Sequence, residues 1–338
     1  MKYSVISIML SLILFACQTE KKKEIDENIL ASLGEKHKIE FTKLSDSYEQ
    51  KIINDSLNTE AYVGLAESKI LLYVFGYIPR NECIPIAKSA FDKAFSLDSL
   101  NSEVQNLSGI LHFLDKEWEQ AEISFVKSIE KNSNNLNARH WYALYLIAMK
   151  RVDEAMLQSD TIMKMDTDDN YLLSRGSFFY FQYRFEEMKP LMLSTIKKDP
   201  ETPWAYDWLG MAFSGLGEHE KAIETYFKAF ELSDGTVEVG AGLGHALGLG
   251  GEIEMAKQMA DYYSIAAKDN YLPPVQRSFI HLGIGEYDEA LSLLEQAFEE
   301  ESWFLLFMQK EHWYDPIRND NRFIDILNRM GFPEPRNK

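Results

Sequence analysis

Apolar residues recur along this chain at helical spacing, and small residues among them keep a longer beat. Phe41, Leu44, Tyr48 and Ile52 lie three to four positions apart, which predicts a helix over 35–54 with one apolar face. Further along, Ala87, Ala121 and Ala155 stand 34 residues apart, as do Ala222, Ala256 and Ala290. Met188 holds the same phase between the two runs to within one residue. The pattern predicts a helix near 59–73 paired with one near 81–97, then paired units at 102–135, 136–168, 169–202, 203–236, 237–270 and 271–304. The loop inside the first pair, with Gly76 and Pro79, is longer than the others. Gly215-Leu216-Gly217-Glu218 and Gly248-Leu249-Gly250-Gly251 mark turns, and Asp199-Pro200 closes one unit because a residue before proline disfavours helix. Sustained alternation and Asn-Gly hairpin signals are absent, so the chain reads as all-α. Near the C-terminus Asp320 is placed to cap a helix with Phe323, Ile326 and Leu327 inward, ending at Gly331 and Pro333. Segment 313–333 is thus expected to cap the stack.

The clearest unit starts near Pro203: Tyr206, Leu209-Gly210 and Phe213 on its first helix, then Ala222, Tyr226 and Ala229 on its second. Later and earlier copies repeat parts of it, with Leu243-Gly244, Leu247, Ala256 and Ala260, with Ala121 and Phe125, and with Ala87, Phe91 and Ala94. Small residues (Gly109, Ala143, Gly210, Gly244) suit close helix crossings, and a large residue four after the alanine fills the adjacent groove. This resembles the tetratricopeptide repeat, a helix–turn–helix unit of about 34 residues. The resemblance implies an α-solenoid: a right-handed superhelix of about seven repeats over 59–304, with capping helices, within an array spanning 37–338. Stacked repeats share one continuous core, so the length of 338 residues does not argue for two domains.

A second resemblance is narrower. Glu117-Trp118-Glu119-Gln120-Ala121-Glu122, Ala138-Arg139-His140-Trp141-Tyr142-Ala143, Arg151-Val152-Asp153-Glu154-Ala155, and the ending Tyr314-Asp315-Pro316-Ile317-Arg318-Asn319-Asp320-Asn321-Arg322-Phe323 with Leu327 to Pro333 are similar to one kind of tetratricopeptide array. Such arrays form the C-terminal halves of some bacterial winged-helix regulators, Ser/Thr kinases and adenylate cyclases. Asn321 stands where that pattern usually has proline, and a lipoprotein leader stands where the effector domain would be. The resemblance implies the fold and a sensing or docking role, not the effector chemistry.

Residues 1–16 read as a leader. Lys2 gives a positive start, Val5 to Phe15 is apolar apart from Ser7 and Ser11, and the run is too short to span a membrane. Leu14-Phe15-Ala16-Cys17 resembles the bacterial lipobox, which implies cleavage before Cys17 and acylation of Cys17; an ordinary signal peptide with an incidental cysteine is the alternative. Gln18 is not the aspartate of an inner-membrane retention signal, so an outer-membrane destination, on its periplasmic or surface face, is allowed. Residues 17–36 are polar and charged and are expected to be a flexible spacer.

The net charge of −18 argues against nucleic acid, whose phosphates need clustered Lys and Arg, and favours a basic partner, although solubility alone would also account for it. With Cys17 acylated, Cys83 has no intramolecular partner and reads as a small buried hydrophobe. The seven histidines form no metal motif, and the Gly240–Gly248 run fails as a nucleotide loop because no strand precedes it. No cofactor, metal or catalytic residue is assigned. What remains is the concave groove, where Asn106, His140, Tyr180, Trp204, Asp207 and His245 are the candidate partner-binding residues, with Asn137, Leu144 and Met211 in the same register. Aromatics with polar edges suit a peptide or a glycan. The expectation is a lipid-anchored, non-catalytic scaffold binding a protein or peptide in that groove. The alternative is a glycan- or nutrient-binding outer-membrane lipoprotein working with an importer.

Overall fold

The computed structural model describes residues 25–167 and 171–334. A short helix α1 (Glu27–Ser32) and a long one, α2 (Glu35–Asn54), precede seven helix pairs. These are α3 (Thr59–Val74) with α4 (Arg80–Leu97), α5 (Ser102–Leu114) with α6 (Trp118–Lys131), α7 (Leu136–Ala148) with α8 (Val152–Met165), and α9 (Leu172–Tyr180) with α10 (Phe185–Lys198). They continue with α11 (Pro203–Gly215) and α12 (His219–Leu232), α13 (Val237–Leu249) and α14 (Ile253–Ala266), and α15 (Pro274–Ile284) and α16 (Tyr287–Glu299). Two 3₁₀ turns, Trp303–Phe307 and His312–Ile317, lead to α17 (Asn321–Arg329). No strand occurs among the described residues, and no helix among them is long and apolar enough to cross a membrane.

Local chemistry sets the helix ends. Asn58, Asn101 and Asn135 cap α3, α5 and α7 by accepting backbone N–H bonds, and proline opens α11 and α15. The turn inside six of the pairs has one left-handed residue, at Lys116, Lys150, Tyr183, Gly217, Gly251 and Gly285, again in the 34-residue phase. The N–H after it returns to a carbonyl five residues back, as in Glu117 to His112, Arg151 to Leu146 and Glu218 to Phe213, which satisfies the frayed end of the first helix.

The beat residues are the packing pivots. Ala87, Ala121, Met188, Ala222, Ala256 and Ala290 are wholly buried, and Ala155 nearly so. Phe125 lies where a methyl group on Gly109 would be, and Tyr226 lies likewise against Gly210, so the large-into-small crossing expected for these pairs is formed. In the glycine run of α13, a methyl on Gly248 would strike the backbone of Gly283 on α15. Close helix packing is therefore the reason for that run. Cys83 is buried and unpaired, and burial pushes its thiol up to about 11.

The stack closes on itself. The loop after α3 reaches the last pairs: Gly76 packs on Pro273, Tyr73 Oη donates to the Glu301 carbonyl at 2.6 Å, and Arg80 pairs with Glu301 at 2.9 Å. From the other end, Trp118 Nε1 donates to the Gly331 carbonyl at 2.7 Å and its ring stacks on Phe332. The N-terminal helices join this closure, which corrects two expectations. The latter part of the expected spacer is ordered: α1 buries Leu30 against the α12–α13 junction, Ser32 Oγ donates to the Asp234 carbonyl, and Gly34 N–H bonds it at 2.9 Å. Polar composition concealed this because only a few apolar side chains, Ile25, Ile29, Leu30 and Leu33, make the apolar part of the contact. On α2, Phe41, Tyr48 and Ile52 pack inward as expected, but Leu44 is exposed. The lipobox and Cys17 lie outside the described residues.

Candidate functional site

The first helix of each pair faces inward, and five of them (α3, α7, α9, α11 and α15) meet the start of α13 around one cavity of about 310 Å³. The concave face is not an open groove. Both 3₁₀ turns lie within it: Trp303, Phe304 and Phe307 come from the first, Glu311 and Trp313 from the entry to the second. Segment 313–333 is therefore more than the expected end cap, since its first residues fill the inner curve. The turns are pinned there. Glu311 accepts from Tyr180 Oη at 2.6 Å and from its own Trp313 N–H at 3.0 Å, Gln309 Nε2 donates to the Ala148 carbonyl at 3.2 Å, and Trp313 stacks on His245 with ring centres 4.2 Å apart.

Aromatic rings make most of the wall. Phe75, Trp141, Trp204, Trp208, Phe279 and Trp303 line it, with Phe75 and Trp204 at 5.7 Å and Trp141 and Trp303 at 6.3 Å between ring centres. Set into this wall are polar atoms with no hydrogen-bond partner: His140 Nδ1, Asp207 Oδ1, Gln276 Oε1, Trp303 Nε1 and Trp313 Nε1. A buried polar group left unpaired costs about 1–3 kcal/mol, so the gathering of five such groups on residues lining one space is a feature to be explained.

The electrostatics follow from the enclosure. Burial pushes the Glu238 carboxyl up to about 7. Asp207 is raised well above the carboxylate range, first by burial and then by the neighbouring Glu238 charge. Burial drives His140 down to about 4, and drives His245 down to about 3 with help from His312 and His219. Glu311 is different: burial raises it, but His312 and the bonds from Tyr180 and the Trp313 N–H outweigh that and hold it below its ordinary value.

Of the six candidate residues, four meet here: His140, Tyr180, Trp204 and Asp207, joined by Leu144 and Met211. His245 is covered by Trp313 and does not reach the space. Asn106 is buried on α5 away from the cavity, with both amide atoms unpartnered. Asn137 donates to Glu67 Oε1 at 2.9 Å, also outside it. That carboxyl is itself raised to about 7 by burial and the Glu103 charge, against the lowering effect of Asn137. Sequence reasoning missed Glu238, Gln276, Glu311, Trp208, Trp303 and Trp313. A usable signal existed for two groups of these. Glu238 is the lone charge of the apolar run 237–249, and residues 303–314 hold five aromatics where a polar cap would need none.

No protein-family model matches the chain, and no curated protein matches it in sequence. Solved structures do match it in shape. A chain of the APC/C hetero-tetramer Cut9–Hcn1 is similar over 86% of this chain at 15% identity, with a TM-score of 0.58; this chain spans 52%, about half, of that one. Human IFIT1, solved as a dimer with m7Gppp-AAAA, is similar over 85% of this chain and 76% of its own at 13% identity, with a TM-score of 0.56. A tetratricopeptide repeat protein from Parabacteroides merdae is similar over 76% of this chain and 98% of its own at 17% identity, with a TM-score of 0.53. Seven helix pairs held in one phase, with these likenesses over most of the length, give the chain the tetratricopeptide-repeat fold.

Proposed function

We propose that this chain is a non-catalytic recognition protein, tethered to the bacterial envelope by acyl chains on Cys17, that takes a short element of a protein or peptide partner into the centre of its superhelix. The observation that carries the reading is the cavity itself: preformed, rich in aromatic residues, and lined by residues with polar atoms that have no partner among the described residues. A rigid, preformed site loses little entropy on binding, so a small contact suffices. The turns at 303–317 occupy the inner curve, so the bound element is a terminus or a single side chain rather than a long segment laid along the repeats. A scaffold role also suits the cavity's chemistry. Ser177 Oγ donates to the Ser174 carbonyl and is not engaged by His140, whose Nδ1 is unpartnered. Cut9 is described in assembly with Hcn1, which gives this fold a precedent for protein partners. Multiple acyl chains hold a protein on a membrane where one chain is marginal, and Gln18 is compatible with the outer membrane.

The test is crosslinking and capture from intact envelopes with three chains: wild type, Trp204→Ala/Trp208→Ala, and Leu157→Ala on the exposed face of α8. A partner recovered with the first and third but lost from the second is the expected result. Capture undiminished by the double substitution overturns the reading. For the tether, a Cys17→Ser chain is expected to leave the membrane fraction, and one that stays with membranes refutes acylation.

A further inference from the structure

Resting on that cavity as the recognition site, we infer that it selects an alkylammonium group, either the head of a small amine or the Nζ of a lysine presented by the partner. The geometry combines two kinds of attraction for such a group. Aromatic residues, among them Phe75, Trp204, Trp208 and Phe279, line the space, and an aromatic face carries negative quadrupole density that favours an organic cation. Two carboxyls also meet there without a cation: Asp207, at 1% exposure with Oδ1 unpartnered, and Glu238 beside it at the start of α13. Among the described residues no lysine or arginine lines the cavity.

The groups around that acidic pair do not neutralise it. Tyr226 lies near Asp207 and Tyr77 near Glu238, each with an unpartnered hydroxyl, and Glu311 and Glu40 add further negative charge nearby. A buried charge without a partner is strongly unfavourable, so the pair holds its protons more tightly than hydrated carboxyls do and gains from an opposite charge. The Glu238 carboxyl, raised to about 7 by its surroundings, agrees with this. The same sign continues along the inner face, where Glu67, Glu103 and Asp166 surround Tyr171. An anion would find no lysine or arginine in the lining, and only the Trp303 and Trp313 indole N–H groups as unpaired donors. A hard metal cation would need six or more oxygens, whereas no cluster of three metal-ligating side chains exists among the described residues. An alkylammonium needs only one or two carboxylates and an apolar surround, and about 310 Å³ accommodates it.

The experiment is calorimetric titration of the full-length chain in detergent micelles, above neutral pH, with two matched probe pairs. One pair is choline and its uncharged carbon isostere. The other is a capped short peptide bearing one lysine and the same peptide with norleucine. At least one cation is expected to bind about tenfold or more tighter than its uncharged match, and Asp207→Asn and Glu238→Gln to remove that preference while leaving the uncharged probe unchanged. Choline binding assigns the small amine as the source; binding of the lysine peptide alone assigns a partner side chain. Equal binding of charged and uncharged probes, or no saturation by either cation into the millimolar range, overturns the inference. If that happens while Trp204→Ala/Trp208→Ala still abolishes partner capture, recognition stands and its ammonium chemistry falls. If ammonium binds and capture is unaffected by the double substitution, the partner reading falls instead.

Discussion

The first and second helices of each pair obey different rules. α13 buries ten of its thirteen residues, Val239 to Gly248 without a break, while α14, its partner, buries four of fourteen: Ala256, Met259, Ala260 and Tyr263. α3 and α4 differ in the same way, with ten buried residues of sixteen against five of eighteen. A helix with one apolar stripe has water on its other side; a helix apolar all round is covered on both. The first helices are packed on more than one side by neighbouring helices, as Gly242 is by Tyr226 and Gly248 by Gly283, and the 3₁₀ turns carrying Trp303 and Trp313 cover part of their inner side. The second helices face solvent and carry ion pairs instead, such as Arg151 with Glu122 at 2.6 Å and Glu154 at 2.8 Å.

If the turns are part of the inner core, the largest effect comes from removing their main contact. Trp313 stacks on His245, meets Phe279 edge-on at 4.7 Å between ring centres, and is 5% exposed. Trp313→Ala is expected to cost about 3–5 kcal/mol, read as a lower denaturant midpoint with an unchanged slope. A loss below about 1 kcal/mol would mean that the turns rest loosely in an open groove, and the contrast between the two helix sets would fail.

The inner set also holds ionisable groups that an outer helix would leave hydrated. Glu67 on α3 is the clearest, raised to about 7 mainly by burial. The sign follows from proton linkage. The native state holds the Glu67 proton more tightly than the unfolded chain, so the stabilisation is complete below the ordinary carboxyl range and is lost as pH rises through about 7. Above that, the native state carries a buried charge that Gln would not. Glu67→Gln is expected to match wild type below about pH 4 and to exceed it above pH 7 by about 1–3 kcal/mol, since each tenfold gain in proton affinity on folding corresponds to about 1.4 kcal/mol. Other titrating groups, including His140 and His245 with their opposite shifts, are common to both chains and cancel. Stability curves that run parallel across this range would place Glu67 in water.

These contrasts mark what could be read from the sequence. The helix pairs were legible because Ala87 to Ala290 repeat a local packing need at fixed spacing, and turn residues such as Gly217 and Gly251 recur with them. The closure was not, because it rests on contacts more than two hundred residues apart, such as Tyr73 to Glu301 and Ser32 to Asp234, which no period encodes. His140, Tyr180, Trp204 and Asp207 were found by assuming that one register faces inward, and they do converge. The same register also named His245 and Asn106, because spacing along the helices does not say what will be laid over them. Trp303 stands at the end of the last expected unit but lies in a 3₁₀ turn outside the helix pairs, and Glu311 and Trp313 lay beyond any argument from phase. Their clue was the density of aromatic residues over 303–314, where the last expected unit, 271–304, passes into the expected cap, 313–333.

Helix α8 sharpens the comparison at its smallest scale, because two neighbouring positions face opposite ways. Ala155 is 1% exposed at a pivot, and Leu157, two residues on, is 63% exposed. Ala155→Leu forces three extra carbons into a filled crossing and is expected to cost about 1–3 kcal/mol. Leu157→Ala removes the same number of carbons but opens no cavity, since water already surrounds the side chain. It also replaces a good helix former with the best one, so the net change is expected within about 0.5 kcal/mol of zero. Melting curves of the two single variants measure this directly. A Leu157→Ala loss as large as that of Ala155→Leu would mean that a further surface covers α8, and the division into covered inner and solvated outer helices would have to be redrawn.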